Sequence, residues 1–584
     1  MQIFAIRHRP ESEDAFLYDP KHMRIRLHTA KNDIKKVTIV YNDPYMSVPD
    51  KDGVYKFEYK TQEMKPLGEG QASEYWGTTI TAPYNRMQYI FEIEDNNGEK
   101  IMLGDRGFRE VSENQRQEME NYFRLPYFHE IDMAKTPDWV KHTVWYQIFP
   151  ERFANGDKSN DPKNVKPWNP QDHPGREDFY GGDLKGVLDH LDDLQELGVN
   201  GLYFCPIFKA TSNHKYDTVD YKEIDPAFGD KKLFKQLVQE AHKRGMKIML
   251  DAVFNHIGVD SPQWQDVVKN GEKSKYADWF HINYFPVEPY RDPLHGEGQP
   301  QYDTFAWEKH MPKWNTANPE VKKHLLDIAT YWVKEFDIDA WRLDVADEVD
   351  HQFWKEFHKA VTAIKPEFYI VGEAWHSAQN WLNGDEFTGT MNYPFTQQIN
   401  DHFLKHKTSP EEFTELLTDQ LMLYRSQVDQ GMLNMLDSHD TARLLTEAND
   451  DENLAFQALA FMFLQTGSPC IYYGTEMAMD GGNDPDCRKP MDWSKKDGRM
   501  WKKVSELINF RRDHEDALSS GLTHLSVTPK GLVKVERIGK DETVVGYFNT
   551  SDGALGFNSV ADMYQNYLVG QLLPKGFIIR VDKK

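Results

Sequence analysis

Three carboxylates in this chain end short apolar runs. They are Asp344 in Trp341-Arg342-Leu343-Asp344-Val345-Ala346, Glu373 in Val371-Gly372-Glu373-Ala374-Trp375, and Asp440 in Leu436-Asp437-Ser438-His439-Asp440. Side chains of this type, carried at strand ends, suit cleavage of a glycosidic bond. One carboxylate attacks the anomeric carbon, and a second, about 5 Å away in a retaining enzyme, protonates the leaving oxygen. Arg342 stands two residues before Asp344, so both point to one strand face, and the guanidinium is expected to hold Asp344 ionised as nucleophile. The neighbours of Glu373 (Val371, Ala374, Trp375) are apolar, which is expected to keep it protonated as the acid. Asp440, with His439, would support a positively charged transition state. Composition and spacing give neither the sugar nor the linkage.

Such residues converge only if their strands are parallel neighbours. From about residue 140 the sequence alternates strand and helix, with strands expected at 143–149, 199–206, 246–254, 338–345, 367–374, 386–392, 432–438 and 469–474. Helices are expected at 184–197, 231–244, 319–336, 351–364, 409–428, 453–466 and 501–517, where apolar residues recur at three-and-four spacing; the helix after strand six is poorly marked. Eight parallel strands in this alternation predict an α/β fold, a (β/α)8 TIM barrel over 140–517. Asp251 and His256 would follow strand three, Asp344 would end strand four, Glu373 strand five, and His439 and Asp440 would follow strand seven. All then face one mouth. The stretch 257–317 exceeds an ordinary connection and predicts an inserted subdomain after strand three. Residues 1–122 alternate with period two between turn signals, which predicts an N-terminal β-sandwich; 123–139 reads as a linker and 518–584 as a C-terminal β-domain.

Bulk properties exclude some functions. The net charge of −24 opposes nucleic-acid binding. No run of apolar residues is long enough to predict a membrane span. The first residues lack a secretory pattern, and the cysteines Cys205, Cys470 and Cys487 cannot all pair, so a cytoplasmic location is expected.

Asp251-Ala252-Val253-Phe254-Asn255-His256, Arg342-Leu343-Asp344, Glu373 and His439-Asp440 resemble the signature regions of the α-amylase family of glycoside hydrolases. Met311-Pro312-Lys313-Trp314-Asn315 is similar to the signature of its neopullulanases, cyclomaltodextrinases and maltogenic amylases, with Trp314 where leucine is usual. The resemblance implies hydrolysis of α-1,4 bonds in cyclodextrins, pullulan and maltodextrins, with some transglycosylation. It gives Asp344 as nucleophile, Glu373 as acid/base and Asp440 as transition-state stabiliser. It also implies that Tyr216 stacks under the sugar, that His256, Arg342 and His439 clamp hydroxyls, and that Asp484 and Arg488 bind the next donor sugar. Phe305, Glu348 and Trp375 would lie on the acceptor side. Asn155, Asp157, Asn160, Asp161, Gly181 and Asp183 resemble a structural Ca2+ site, whose oxygen donors suit a hard cation. The usual asparagine after the nucleophile is Asp347 here, which bears on the balance of hydrolysis and transfer. A homodimer is also implied, its covering loop corresponding to Asn42-Asp43-Pro44-Tyr45, although Met46-Ser47 departs from the pattern. A 4-α-glucanotransferase or branching-type enzyme is the same-fold alternative. An inactive amylase-fold binding protein is the other, opposed by the presence of all three acids.

Overall fold

The computed structural model describes residues 1–584. Eight parallel strands form the central sheet: β1 (Trp145–Ile148), β2 (Gly201–Phe204), β3 (Lys247–Ala252), β4 (Ala340–Leu343), β5 (Tyr369–Gly372), β6 (Gly389–Thr390), β7 (Leu433–Asn434) and β8 (Ser468–Tyr472). Their order is β6-β5-β4-β3-β2-β1-β8-β7. Between β6 and β7 the ring is joined by one bridge, Met391 to Leu433. Apart from Lys247 at the start of β3, the strands are buried along their whole length, as parallel strands covered by helices must be. They are also shorter than the apolar runs suggest. Residues such as 253–256 and 435–440 have left the ladder, and that departure frees them to line a mouth.

The helices follow the sequence periodicity with instructive breaks. Pro319–Phe336 runs from its Asn318 cap, with Pro at the first turn, to Asp337 in the left-handed region, and buries Val321, Leu325, Ile328 and Trp332. The helix expected at 184–197 is two, Leu184–Asp189 and Leu191–Leu197, divided at His190. The apolar spacing carries through that break, which is why periodicity alone missed it. After β6, helix Tyr393–Ile399 continues into a π turn, Asn400–Leu404, before helix Pro410–Met422.

The insert between β3 and β4 has its own helix, Pro262–Asn270. Trp314 there is buried, stacks on Phe280 with centroids 4.9 Å apart, and donates its indole N–H to Tyr221 Oη at 3.2 Å. The residue that departs from the family pattern thus fills the core between insert and barrel.

The first 125 residues form two packed antiparallel sheets, one ordered Ala15–Asp19, His22–Ala30, Ser73–Thr81, Lys65–Glu69, the other centred on Met87–Asp95 and Ile34–Asn42. Phe123–Leu125, assigned to the linker by sequence, pairs with Met87–Asp95, and Phe123, Leu125 and Phe128 join the sandwich core. Its three-residue alternation is too short to stand out in a polar stretch. Arg26 ties sandwich to barrel by donating to the carbonyls of Met422 and Tyr424. The C-terminal strands form an antiparallel sheet ordered Leu522–Val527, Val533–Ile538, Glu542–Phe548, Gln571–Lys583. No helix is long and apolar enough to cross a membrane.

Candidate active site

Above the C-terminal ends of the strands lies a cleft of about 970 Å3, lined among others by Tyr216, His256, Asp344, Glu373, Trp375 and Asp440. Its floor is built on Arg342. This side chain, completely buried on β4, bonds both carboxylate oxygens of Asp251 at 3.0 Å and Oδ1 of Asp344 at 2.6 Å, and its Nη2 pairs with Glu373 Oε2 at 2.8 Å. Three carboxyl groups from three adjacent strands therefore share one guanidinium. Losing that cation would leave buried negative charge uncompensated, at a cost of about 3–5 kcal/mol.

The electrostatics follow from the count. Burial pushes the Asp344 carboxyl well up from its ordinary range, opposed by Arg342 and reinforced by the charges of Glu373 and Asp251. Burial likewise pushes Asp251 up, to about 6, against the pull of Arg342. Arg342 thus favours the ionised form of Asp344, as expected, but its charge is shared with Asp251 and Glu373, so the titration belongs to the group.

Backbone geometry sharpens the arrangement. Val345, next after Asp344, has φ of 47°, a conformation a β-branched residue enters only at a cost of about 1–3 kcal/mol. In that posture its N–H donates to Glu373 Oε2 at 2.9 Å. Gly372 precedes Glu373 because a Cβ there would lie 2.4 Å from the Phe387 ring. The surroundings of Glu373 are more polar than its sequence neighbours suggest. Trp375 offers its indole N–H to Oε1 at 3.2 Å rather than an apolar wall. That indole stacks on Tyr393, centroids 3.6 Å apart, and is 51% exposed.

Around this centre, Tyr216 Oη donates to Asp251 at 3.0 Å and meets His439 Nε2 at 2.5 Å. His439 Nε2 is 3.2 Å from Asp440 Oδ2, and its other nitrogen is bonded to the side-chain amide of Gln147 at 2.8 Å. Arg488 pairs with Asp484 at 2.8 Å and with Asp440 at 3.3 Å, so these three are one chain of charges. Burial lowers His256 to about 3 and His439 well below its usual value, so both imidazoles are neutral. His256 stacks against Phe305, with centroids 5.4 Å apart. On the other rim, Glu348 pairs with Lys313 at 3.0 Å and Asp347 with His376 at 3.0 Å.

The structure thus gathers all twelve catalytic and sugar-binding candidates, but not on one surface. Arg342 and His439 lie beneath the floor and touch the carboxylates. Asp251, expected after strand three at the mouth, makes the bidentate contact to Arg342. Two further participants were not singled out from sequence. Gln147 is a polar residue in the apolar run Tyr146-Gln147-Ile148, a signal that was available. Lys313 is the cation of its motif and also donates to Asn255 Oδ1.

The cation-site candidates divide. Asp183 accepts from the N–H groups of Gly156, Asp157 and Gly186 and from the Asn160 amide, so its carboxylate is occupied as turn holder and helix cap. Asp157 accepts from Ser159 within its own turn. The side-chain oxygens of Asn155 and Asn160, by contrast, are buried without any partner. A Cβ on Gly181 would sit 2.4 Å from Asp161 Oδ1 and 2.5 Å from the Asn155 amide nitrogen, so the glycine leaves that space free. Orphaned amide oxygens beside one carboxylate fit a hard cation. No group of three His, Cys, Asp or Glu side chains stands in ligating position, so amide and main-chain oxygens would supply most ligands.

A (β/α)8 barrel whose strand ends bring three carboxyls onto one buried arginine, below an open cleft, defines a glycoside hydrolase of the retaining-barrel kind. Residues 147–519 match the description "Alpha amylase, catalytic domain" and residues 1–129 "Alpha amylase, N-terminal ig-like domain"; the chain belongs to the alpha-amylase family. It is 50% identical over 523 residues to the intracellular maltogenic amylase of Bacillus subtilis, covering 89% of this chain and 86% of that one. It is 45% identical over 577 residues to the cyclomaltodextrinase of Geobacillus thermopakistaniensis, covering 98% and 95%. A solved cyclomaltodextrinase structure superposes with a TM-score of 0.88 at 40% identity, covering 100% of this chain and 99% of that one.

Proposed function

We propose that this hydrolase cleaves α-1,4-glucosidic bonds in cyclodextrins, pullulan and maltodextrins, with some transglycosylation. The carrying observation is the single guanidinium of Arg342, which contacts both Asp344 and Glu373 and so keeps the two carboxyls within one bond-spanning gap. Asp344 attacks the anomeric carbon to form a glycosyl-enzyme. Glu373 protonates the departing oxygen and then takes a proton from the incoming water, the closely spaced arrangement of retaining enzymes. Asp440, reached by His439 and Arg488, stabilises the cationic transition state. Asp484 and Arg488 bind the donor-side sugar; Phe305, Glu348 and Trp375 serve the acceptor side. The names of the relatives, maltogenic amylase and cyclomaltodextrinase, support this substrate class.

Chromatography of products from β-cyclodextrin, pullulan and maltotriose tests the reading. Maltose and glucose from the first and third, and panose from pullulan, are expected. Asp344→Asn and Glu373→Gln should each lower kcat/KM by at least about 10²–10⁴-fold. Near-native turnover by either variant would sink the assignment, and net chain lengthening from maltotriose would favour the glucanotransferase alternative.

Three further readings belong to the same picture. Ca2+ bound at Asn155, Asn160 and Asp161 would fix the loop after β1, with no part in the chemistry. The chain would act as a homodimer in the cytoplasm, the location in keeping with a relative named as intracellular. Dimerisation is supported by the covering loop and its hairpin, where Tyr45 is 77% and Tyr55 71% exposed, with Val48 and Val54 beside them.

A further inference from the structure

Strand β1 is buried throughout, yet one of its side chains is an amide. Gln147, between Tyr146 and Ile148, has no exposure, and its Oε1 meets no donor. An unmatched buried oxygen costs about 1–3 kcal/mol, which an apolar residue at this place would avoid. The amide nitrogen, by contrast, is engaged. Gln147 Nε2 lies 2.8 Å from His439 Nδ1 and 3.6 Å from Cys205 Sγ. No other side chain or backbone group bonds that imidazole nitrogen.

Counting hydrogens along the contacts decides which ring nitrogen of His439 carries the proton. Asp251 is enclosed by donors: Arg342 Nη1 on both oxygens at 3.0 Å, Tyr203 Oη at 3.1 Å and Tyr216 Oη at 3.0 Å. A carboxylate so placed only accepts, so the single phenolic hydrogen of Tyr216 is spent on it. The Tyr216 oxygen must then accept from His439 Nε2 at 2.5 Å, the two rings lying parallel to within 8°. Asp440 Oδ2, 3.2 Å from the same nitrogen, calls for a hydrogen there as well. Burial keeps His439 neutral, with one N–H to give. Nδ1 is therefore the bare nitrogen, and the amide of Gln147 donates to it. The same contacts hold Asp440 from two directions, His439 on Oδ2 and Arg488 on Oδ1 at 3.3 Å.

We propose that Gln147 is a positioning residue of the hydrolysis: from within β1 it holds His439 as the Nε2–H tautomer, and so orients Tyr216 and Asp440 toward the sugar at the scissile bond. The inference rests on the α-glucan reading of the cleft. Which imidazole nitrogen bears the proton is set by the bond that the other one makes. An acceptor opposite Nδ1 would draw the hydrogen there. A bare Nε2 would then face the oxygens of Tyr216 and Asp440, neither of which has a hydrogen to offer it. With the amide donating, every bond runs one way, from Gln147 through His439 and Tyr216 to Asp251, the carboxyl that shares Arg342 with the nucleophile. The unpaired Oε1 is what that direction costs. The other charged or titratable groups bearing on His439 are Arg488, Arg342 and His214, and all three disfavour an imidazolium.

Neutron diffraction from deuterium-exchanged crystals of the native protein reads the protons directly. A deuteron on His439 Nε2, none on Nδ1, and the Gln147 amide nitrogen turned toward Nδ1 are expected. A deuteron on Nδ1 would overturn the proposal, whether or not any variant folds. Gln147→Met keeps the side chain's length and removes the donor. Its kcat for maltotriose should fall about 10–100-fold with KM little changed, as when the outer partner of a site histidine is lost. Its melting temperature should stay near native, because the unpaired oxygen goes too. Gln147→Glu separates orientation from packing. While the introduced carboxyl and His439 hold two protons between them, Nε2–H survives; when one is left, it is drawn to Nδ1. Gln147→Glu should therefore exceed Gln147→Met in kcat at least about tenfold on the acid side of the profile, and lose that lead as pH rises. Native kcat in Gln147→Met, or equal rates for the two variants at every pH, would also overturn it. Proton positions are read without substrate, so failure of this assignment and failure of the α-glucan reading are distinguishable.

Discussion

At the residue scale, the informative object is the quartet Arg342, Asp251, Asp344 and Glu373. Asp251 is the most deeply buried of the three carboxyls, and its charge raises Asp344 by repulsion. Removing that charge in Asp251→Asn lets Asp344 ionise at lower pH. The acidic limb of the kcat/KM profile, which reports ionisation of the nucleophile, should therefore move to lower pH, together with a fall in rate from the altered contact to Arg342. An acidic limb that stayed in place or moved upward would show that Asp251 does not feel the nucleophile. Histidine ionisation should not shape the profile near neutrality, since His256 and His439 are held neutral by burial. The acids themselves were legible in the sequence because each ends an apolar run. Their protonation was not, because it depends on how many carboxyls share one cation, and that is a fact of three strands together.

At the element scale, the loop after β1 is the piece whose order depends most on what it binds. Asp183 already caps helix Leu184–Asp189 and gathers the turn, while the oxygens of Asn155 and Asn160 lack partners. A cation present at about a hundred times its dissociation constant would stabilise the fold by about 2.7 kcal/mol. Exhaustive chelation should then lower the melting temperature by about 2 °C, and Asn160→Ala should abolish that sensitivity. Identical melting curves before and after chelation would remove the ion from this loop. The sequence placed these residues on a turn with oxygen ligands, but could not tell occupied carboxylates from free ones. Similarly, the strand at Phe123–Leu125 was hidden because a short alternation in polar surroundings carries little signal until Met87–Asp95 supplies its partner.

For the whole molecule, the sandwich bears the exposed Tyr45 and the hairpin of Ser47–Pro49 with Tyr55–Phe57. Apolar groups displayed together on one small domain invite a self-complementary contact. Sedimentation velocity at micromolar concentration should show a dimer, and Tyr45→Ser with Tyr55→Ser should shift it toward monomer; a native protein that sediments as a monomer throughout would end this reading. The barrel was legible from strand and helix alternation. The sandwich's attachment through Arg26 was not, since partners some 396 residues apart leave no local trace.

The lone bridge between β6 and β7 has a consequence for how catalytic spacing is kept. Glu373 and Asp440 sit on opposite banks of that gap, in the segments that follow β5 and β7. Six ladders join them the long way round, and the short way is closed by hydrogen bonds: Asn392 N–H to Leu433 O, the Asn392 amide to Asn434 Oδ1, Thr396 Oγ1 to Met435 O, and Tyr393 Oη against Ser438 Oγ. The interval between proton donor and charge stabiliser is thus set from both directions, like a hoop whose one seam is riveted by side chains where the weave of the strands gives out.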